Sequence, residues 1–365
     1  MSAFPGQVIL VLQGGGALGA YQAGVYEALH EAGVEPDWVI GTSIGAINGA
    51  IIAGNPPEHR IERLEKFWAR VRWHGAAAAW GLWPSVAGAI AQADILVNGI
   101  EGFFAPNPDA LWGVHMPLGV ERAAFYRTAP LAETLADLVD FGCVNSGKTR
   151  LTLGAVNVRS SEMHYFDSRG QPIDARHVMA SGALPPAFPA VRIDGDPYWD
   201  GGLYSNTPLE VVLDDKPRRD SLIFAANVWQ SHAAEPDTIW QVLARQKDIQ
   251  YASRATSHVM RQQQIHRMRH IVRELARHIP EERRRQRDVS RMLAYGCATV
   301  MHLVPLHAPR LKGEDHSKDI DFTPSGISAR RSAGYADTRR ALDERPWENC
   351  KDTMDGIIIH GSTRD

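Results

Sequence analysis

Two short stretches near the start of the chain consist of apolar residues alone. Val8 to Leu12 is the first, and Trp38 to Ile40 is the second. Unbroken runs of this kind are typical of strands that are buried on both faces of a parallel sheet. Each run leads into small residues and then into apolar positions spaced three and four residues apart, which predict a helix. A strand–helix–strand–helix order within residues 8–54 predicts an α/β fold.

Further apolar runs predict four more strands, whereas one long region follows no regular pattern. The predicted strands are Leu151 to Val156, Met163 to Phe166, Leu222 to Val228 and Val300 to Val304. Residues 75–130 instead mix alanines, several aromatic residues, glycines and prolines. Two interpretations stay open for this region: an insertion over a site, or ordinary loop packing.

Length and composition restrict the class of protein. The chain has 365 residues, of which 44% are hydrophobic and 22% charged, so we expect a globular fold with a sizeable core. Its 39 Lys and Arg and 42 Asp and Glu give a net charge of −3, which offers no electrostatic argument for binding nucleic acid. Three distant cysteines, no basic leader and no apolar stretch of membrane-spanning length lead us to expect a cytoplasmic protein without a metal site.

Residues 245–291 differ in charge from the rest of the chain. They contain 13 Lys or Arg and 5 Asp or Glu, a local balance of +8. Ile265, Met268 and Leu275 keep helical spacing within this stretch, so we predict a basic amphipathic helix that ends before Pro280. Two interpretations are open: a solvated face on an ordinary packed helix, or peripheral contact with an anionic membrane.

Ser43 lies in a Gly-x-Ser-x-Gly motif between the second predicted strand and the helix that follows it. A sharp strand-to-helix turn needs small flanking residues, which Gly41 and Gly45 supply, and such a turn lifts the serine hydroxyl clear of the backbone. The adjacent helix N-terminus favours developing negative charge. The motif alone is common, but this context favours a nucleophilic serine over an ordinary turn residue.

A run of three glycines, Gly14, Gly15 and Gly16, follows the first predicted strand. Glycines let the backbone approach a ligand closely and direct N–H groups at it, so the run suits a phosphate or an oxyanion. Together with Gly19 it also fits the Gly-x-Gly-x-x-Gly pattern of dinucleotide sites. Such sites place an acidic residue at the end of the second strand, whereas this strand ends at Gly41, which disfavours a dinucleotide.

A nucleophilic serine needs a base, which is usually a histidine but can be a carboxylate. The chain has 15 histidines, and its best carboxylate candidate is Asp200. Asp200 follows a short predicted strand end and precedes Gly201 and Gly202, which favour a tight turn, and a helix is predicted to start at Thr207. Partial burial would raise the pKa of this carboxyl group above its ordinary ~3.9 and make it a better base at neutral pH.

Together these elements resemble the patatin-like phospholipase family. The stretch from Gly14 to Gly19 is similar to the glycine-rich loop of that family, and the stretch from Gly41 to Gly45 is similar to its nucleophile elbow. Asp200, Gly201 and Gly202 are similar to its Asp-Gly-Gly/Ala motif. The order and spacing of the three motifs also fit, and the resemblance covers residues 7–215.

The resemblance implies a fold and a mechanism. The implied fold is α/β, a three-layer α/β/α patatin-like fold with a mostly parallel central sheet and, in this chain, a partly helical C-terminal extension. The implied reaction is hydrolysis of acyl esters of lipids, without a cofactor. In it, Ser43 is the nucleophile, Asp200 is the general base, and the amides of Gly14–Gly16 form the oxyanion hole. The remaining motif glycines are expected to support these turns: Gly19, Gly41, Gly45, Gly201 and Gly202.

One position departs from the family pattern, and one part of the chain lies beyond it. Leu18 stands where many members have Arg or Lys, which questions a phospholipid substrate more than it questions ester hydrolysis. Two alternatives therefore stay open: an esterase with the same dyad acting on non-membrane esters or polyesters, and a nucleotide- or membrane-binding protein without catalysis.

We expect a hydrolase domain at residues 1–228, a basic, partly helical region packed on it at 229–345, and a tail at 346–365; the oligomeric state stays open.

Overall fold

The computed structural model describes residues 6–75, 84–311, 314–349 and 354–361. Within these ranges the strands are β1 (Gln7–Leu12), β2 (Trp38–Gly41), β3 (Ala105–Pro106), β4 (Tyr126–Arg127), β5 (Arg150–Asn157), β6 (Met163–Asp167), β7 (Val191–Ile193), β8 (Asp196–Asp200), β9 (Ser221–Asn227), β10 (Met301–His307) and β11 (Ile357–Ile359). All six strands predicted from apolar runs are present, as β1, β2, β5, β6, β9 and β10.

Nine of these strands form one central sheet, in the spatial order β11-β10-β9-β1-β2-β5-β8-β7, with β6 paired to β5. The strands from β11 to β5 run parallel to one another. The pairings of β6, β7 and β8 at the other edge are antiparallel. The sheet is therefore mostly parallel, as predicted, and β3 and β4 form a separate antiparallel pair.

Helices cover both faces of this sheet. They are α1 (Ala20–Glu31), α2 (Ile44–Ala53), α3 (Pro57–Arg70), α4 (Pro84–Asn98), α5 (Ala129–Leu138), α6 (Phe141–Asn145), α7 (Ala175–Ser181), α8 (Glu210–Leu213), α9 (Ile239–Arg277), α10 (Glu281–Arg284), α11 (Arg287–Leu293) and α12 (Pro324–Glu344).

The side chains of β1 show how the layers form, because successive side chains of a strand point to opposite faces. Leu10 and Leu12 belong to a core shared with residues of α1 and α2, on one face of the sheet. Ile9 and Val11 belong to a second core shared with residues of α8 and α9, on the other face. The three-layer α/β/α arrangement predicted from the resemblance is confirmed.

The C-terminal part of the chain takes part in the same sheet. β10 comes from residues 229–345 and β11 from residues 346–365, so the sheet crosses both predicted domain boundaries. Helix α12 packs closely on α1, since a Cβ added at Gly24 would lie 1.9 Å from the carbonyl oxygen of Arg331. The region predicted to lie on the hydrolase domain therefore supplies the strand β10 and the packed helix α12, and the predicted tail supplies the strand β11.

The predicted basic helix is present as α9, with a different buried face from the one its apolar spacing indicates. Gln262, His266 and His270 are buried, whereas Met268 and Leu275 are 62% and 57% exposed. The side chains of His266 and His270 contact the carbonyl oxygens of Leu213 and Thr299 in the domain beneath. Tertiary hydrogen bonds thus orient the helix, and part of its apolar stripe faces solvent.

Across the described ranges, no helix combines the length and the apolar character that crossing a bilayer requires.

Candidate active site

Ser43 occupies a strained turn between β2 and α2. Its backbone has φ 57° and ψ −123°, which is unusual for a residue with a side chain and costs on the order of 1–3 kcal/mol. The Ser43 N–H is directed at Ser181, whose carbonyl oxygen and Oγ both lie 3.1 Å away. The Ser43 carbonyl oxygen accepts from the N–H of Ala46 in the first turn of α2. These contacts hold the strained geometry and leave the half-buried serine side chain directed away from the turn.

Asp200 lies at the end of β8, directly before a short 3₁₀ turn, and only 2% of it is exposed. Its Oδ1 accepts from the N–H of Gly202 at 2.7 Å. Burial raises the pKa of Asp200 to about 6, and the nearby Ser43 hydroxyl and the Gly202 N–H limit the rise. Asp200 is therefore ionised at neutral pH but a much stronger base than an exposed carboxylate.

In the glycine-rich loop, the backbone of Gly14 is hydrogen-bonded to the rest of the protein, whereas within the described residues the amides of Gly15 and Gly16 are not. The N–H of Gly14 donates to the Asn206 carbonyl oxygen at 3.2 Å, and its own carbonyl oxygen accepts from Asn206 Nδ2 at 3.0 Å and Trp229 Nε1 at 2.7 Å. In the part of the chain that the structure describes, the amides of Gly15 and Gly16 have no protein acceptor. The expectation that all three amides serve an oxyanion is thus corrected for Gly14, because its amide is already engaged.

The five supporting glycines sit where the backbone meets another part of the chain at close range. An added Cβ would lie between 2.2 and 2.9 Å from its nearest neighbour at each of them, a distance that real Cβ atoms essentially never show. At Gly45 the neighbour is the carbonyl oxygen of Leu12, which joins the turn of Ser43 to the end of β1. The same condition holds at the others: Gly19, Gly41, Gly201 and Gly202.

Several residues that the motifs do not contain complete this arrangement. Gln13 is buried and donates to Thr207 Oγ1 at 2.7 Å and to the Tyr251 carbonyl oxygen at 3.2 Å. Because the Thr207 hydroxyl is used in this way, it does not cap a helix, and α8 begins only at Glu210. Tyr251, on α9, packs against Trp229 with ring centroids 4.9 Å apart and the ring planes tilted by 33°. The basic C-terminal helix therefore contributes directly to the wall of the site.

Ser43 and Asp200 open onto a mostly apolar cavity of about 190 Å³. Ile95, Leu96, Phe103, Phe104 and Tyr126 in its wall come from the irregular region at residues 75–130, which supports the interpretation of that region as an insertion over the site. Its other apolar lining residues include Ile44, Ile47, Leu184, Phe188, Ile320 and Phe322.

The described lining residues include carboxylates but no Lys, Arg or His. Asp319 is one of them, and the Nζ of Lys247 lies 2.7 Å from its carboxylate. Leu18, at the position where many family members have Arg or Lys, is buried in the core at 4% exposure. The charges around the cavity are thus partly neutralised, and its walls suit a hydrocarbon chain better than an anionic group.

The fold and this site together define an α/β protein with a serine after the parallel strand β2 and a carboxylate at the end of the antiparallel strand β8. A family model described as patatin-like phospholipase matches residues 10–213, and a second, described as patatin phospholipase, matches residues 249–354. The chain belongs to the patatin-like phospholipase family.

Curated relatives share parts of the chain. Patatin-like phospholipase domain-containing protein ZK370.4 of Caenorhabditis elegans is 28% identical over 204 residues, which are 56% of this chain and 12% of the relative. Human patatin-like phospholipase domain-containing protein 6 is 46% identical over 63 residues, 17% of this chain and 5% of the relative. Lysophospholipase nte1 of Aspergillus terreus is 61% identical over 44 residues, 12% of this chain and 3% of the relative. The matched segments are therefore a small part of each of these longer relatives.

Two solved structures are similar over most of the chain. VipD from Legionella pneumophila aligns with a TM-score of 0.41 and 17% identity, covering 99% of this chain and 72% of VipD. The type III effector protein ExoU aligns with a TM-score of 0.34 and 14% identity, covering 93% of this chain and 53% of that one.

Proposed function

We propose that this protein is a serine hydrolase that cleaves acyl ester bonds of lipids through a dyad of Ser43 and Asp200. The observation that carries the proposal is the buried carboxylate of Asp200, which lines one apolar cavity together with a serine on a strained strand-to-helix turn. A buried carboxylate with a pKa of about 6 is a general base suited to neutral pH. Family membership supports the same class of reaction.

In the first half-reaction, Asp200 takes the proton of the Ser43 hydroxyl as Oγ attacks the ester carbonyl carbon. Negative charge then develops on the carbonyl oxygen, and the amides of Gly15 and Gly16 are the donors that stabilise it. Collapse of this intermediate breaks the ester C–O bond, and the leaving alcohol receives the proton that Asp200 holds. The acyl group remains on Ser43 as an ester.

In the second half-reaction, water attacks the acyl-serine and gives a proton to Asp200. The same two amides stabilise the second oxyanion. When the C–O bond to Ser43 breaks, Asp200 returns a proton to the serine oxygen, and the fatty acid leaves. One carboxylate therefore serves as base and acid in turn, which matches the described cavity lining, where histidine is absent.

The cavity supports acyl chains as the recognised part of the substrate. Its lining is dominated by aliphatic and aromatic side chains, and the described lining residues offer no cation to an anionic head group. This feature also favours the second candidate, an esterase that acts on uncharged esters away from membranes. Purified protein assayed on phospholipids, neutral glycerides and short water-soluble esters separates the two, because only a lipid hydrolase prefers the long-chain aggregated substrates.

We also propose that α9 and the segment after it make peripheral contact with anionic lipid, at a protein whose expected location is cytoplasmic. Arg267, Arg273 and Arg277 are exposed beside the outward-facing Met268 and Leu275. Arg277 pairs with Glu274 of its own helix at 2.7 Å, and Arg267 lies 3.7 Å from Asp355. Apolar residues bordered by arginines on one face are typical of helices that lie on anionic surfaces.

The direct test of the proposed chemistry is hydrolysis of a short, water-soluble acyl ester. We expect turnover by the natural chain and by Ser328→Ala, a control on the exposed outer side of α12. Ser43→Ala should have none above background. Equal rates for the Ser43→Ala and Ser328→Ala proteins would contradict the dyad.

A further inference from the structure

The mouth lobe, which we define as residues 105–127, presents large apolar side chains to solvent. Leu111, Trp112 and Val114 are 89%, 75% and 78% exposed, and Met116 is 50% exposed. No Asp, Glu, Lys or Arg occurs anywhere between Ala110 and Val120. A contiguous stretch of exposed apolar residues without charges is unusual on a protein surface and marks a site of interaction.

The lobe is a built structure held at its base. The side chain of Asn107 joins the two ends of the lobe. Its Nδ2 donates to the carbonyl oxygens of Arg122 and Ala124, and its Oδ1 accepts from the N–H of Asp109. β3 and β4 pair next to Asn107, at the base of the lobe. The charged residues of the lobe lie near its base, where Arg122 is 3.5 Å from Asp109. The apolar tip is thus fixed in place while its side chains remain uncovered.

The base of the lobe is also a wall of the cavity above Ser43. The N–H groups of Phe125 and Tyr126 donate to the carbonyl oxygens of Pro186 and Ala187, which adjoin the cavity. The Tyr126 hydroxyl donates to the carbonyl oxygen of Leu96 at 2.7 Å. Leu96 lines the cavity and is itself 54% exposed, so the cavity reaches the surface beside the lobe.

We propose that the mouth lobe inserts Leu111, Trp112 and Val114 into the surface of uncharged or zwitterionic lipid and so places the cavity mouth against its substrate. This inference rests on the proposed function, and it adds that the site takes its substrate from a lipid surface and not as single molecules in solution. Burial of apolar side chains, with a tryptophan at the boundary between hydrocarbon and water, drives the contact. A lipid surface fits better than a second protein, because a protein seated on the lobe would cover the opening through which substrate enters.

Vesicle binding tests the lobe independently of catalysis. All proteins in this experiment carry Ser43→Ala, so that lipid is not consumed, and the vesicles are pure phosphatidylcholine. We expect Leu111→Ser/Trp112→Ser to bind at least tenfold more weakly than its parent, with no dependence on salt. Ile359→Ser is the control, since Ile359 is an exposed isoleucine on β11, outside the lobe and outside α9, and it should bind as the parent does.

Three results would overturn the inference. One is a parent protein that does not bind phosphatidylcholine vesicles, and another is equal binding by the parent and the lobe variant. The third is a dimer, seen by light scattering, that dissociates only in the lobe variant, because the lobe would then be a contact between copies of the chain. Equal thermal melts for all three proteins verify that the substitutions leave the fold intact.

Hydrolysis by the proteins that retain Ser43 separates this inference from the proposed chemistry. On a short soluble ester, we expect the lobe variant and the natural chain to agree within about twofold, whereas on phosphatidylcholine vesicles the variant should be at least tenfold slower. A lobe variant that loses soluble-ester turnover equally would contradict the inference. Absence of soluble-ester hydrolysis by the natural chain would contradict the proposed function and leave the vesicle-binding result to decide on the lobe.

Discussion

The turns that hold Ser43 and Asp200 and the mouth lobe border the same cavity but are built in opposite ways. Each turn buries polar atoms and satisfies them from the backbone, as the Gly202 N–H does for Asp200 and the Ser181 carbonyl oxygen does for the Ser43 amide. The lobe satisfies its polar atoms at the base and leaves apolar side chains in water, as at Trp112. The difference is the basis of our two proposals, which assign the chemistry to the turns and the contact with lipid to the lobe, so that substitutions can test each one separately.

The largest effect is expected from Ser43→Ala. If all chemistry resides in the turns, this change removes turnover on soluble and aggregated esters alike, by about 10⁶-fold, as loss of the nucleophile does in comparable serine hydrolases. Steady-state assays on both kinds of ester measure it. A variant that lost activity on lipid aggregates but kept it on soluble esters would break the comparison, because Ser43 would then act in lipid contact.

Asp200→Asn should follow closely, with a loss on the order of 10⁴-fold on every ester. Asparagine keeps the shape of the side chain and an acceptor for the Gly202 N–H, but it cannot take the serine proton. Replacing described histidines such as His164 or His177 by Gln provides the control. A His→Gln variant as inactive as Asp200→Asn would put a histidine in the mechanism.

The sequence predicted the turns much better than the cavity around them. Ser43 and Asp200 lie in short motifs whose glycines and neighbouring strands are local in the chain, so pattern and spacing suffice to predict them. Gly14 was predicted as an oxyanion donor, but its amide is engaged by Asn206, a residue 192 positions away. Long-range hydrogen bonds of this kind leave no periodic signal in the sequence.

The C-terminal half shows the same limit. The apolar spacing of α9 predicted a helix correctly, yet the buried face was set by His266 and His270 through contacts with the domain beneath. β11 is a run of three isoleucines in the stretch expected to be a tail; these residues favour a strand, but so short a run does not show by itself that it pairs with β10. The place of Tyr251 in the cavity wall depends on the same tertiary packing.

The free energy of unfolding should show that burying the ionised Asp200 carboxylate destabilises the folded protein. Because the pKa of Asp200 in the folded protein is about 6 and the ordinary value is 3.8, the folded state holds the proton more tightly. This stabilisation is complete below about pH 4 and is lost as the pH rises through about 6. Asp200→Asn should therefore be more stable than the natural chain at pH 8, on the order of 3 kcal/mol, and no more stable at pH 4.

Chemical denaturation at the two pH values measures this difference. Lobe substitutions, which lie far from a buried charge, should show no such dependence on pH. A variant Asp200→Asn that was less stable than the natural chain at pH 8 would mean that the carboxylate is stabilised by its surroundings, contrary to the pKa shift.

The pH profile of turnover is the next smaller effect. Only the ionised form of Asp200 accepts the serine proton, so kcat/KM on a soluble ester should fall about tenfold per pH unit below about pH 6 and be level above it. The lobe variant Leu111→Ser/Trp112→Ser should show the same profile. An inflection near pH 4, or a profile that the lobe substitutions shift, would break the separation between the two regions.

The smallest effect is expected on α9, where charge rather than apolar area would mediate contact. Replacing Arg267, Arg273 and Arg277 by Gln should weaken binding to phosphatidylglycerol vesicles about five- to tenfold at low salt, less at high salt, since two of these arginines already have carboxylate partners. Binding to phosphatidylcholine vesicles should not change. Loss of binding to both kinds of vesicle would place the lipid contact on α9 and away from the lobe.

Covalent labelling of the nucleophile tests the central claim most directly. The natural chain, Asp200→Asn and Leu111→Ser/Trp112→Ser are treated with a fluorophosphonate, and the labelled peptide is mapped by mass spectrometry together with the labelling rate. The dyad predicts one label on Ser43, a rate reduced at least a hundredfold in Asp200→Asn, and an unchanged rate in the lobe variant. A label on another residue, or labelling of Ser43 at the natural rate in Asp200→Asn, would contradict the Ser43–Asp200 dyad.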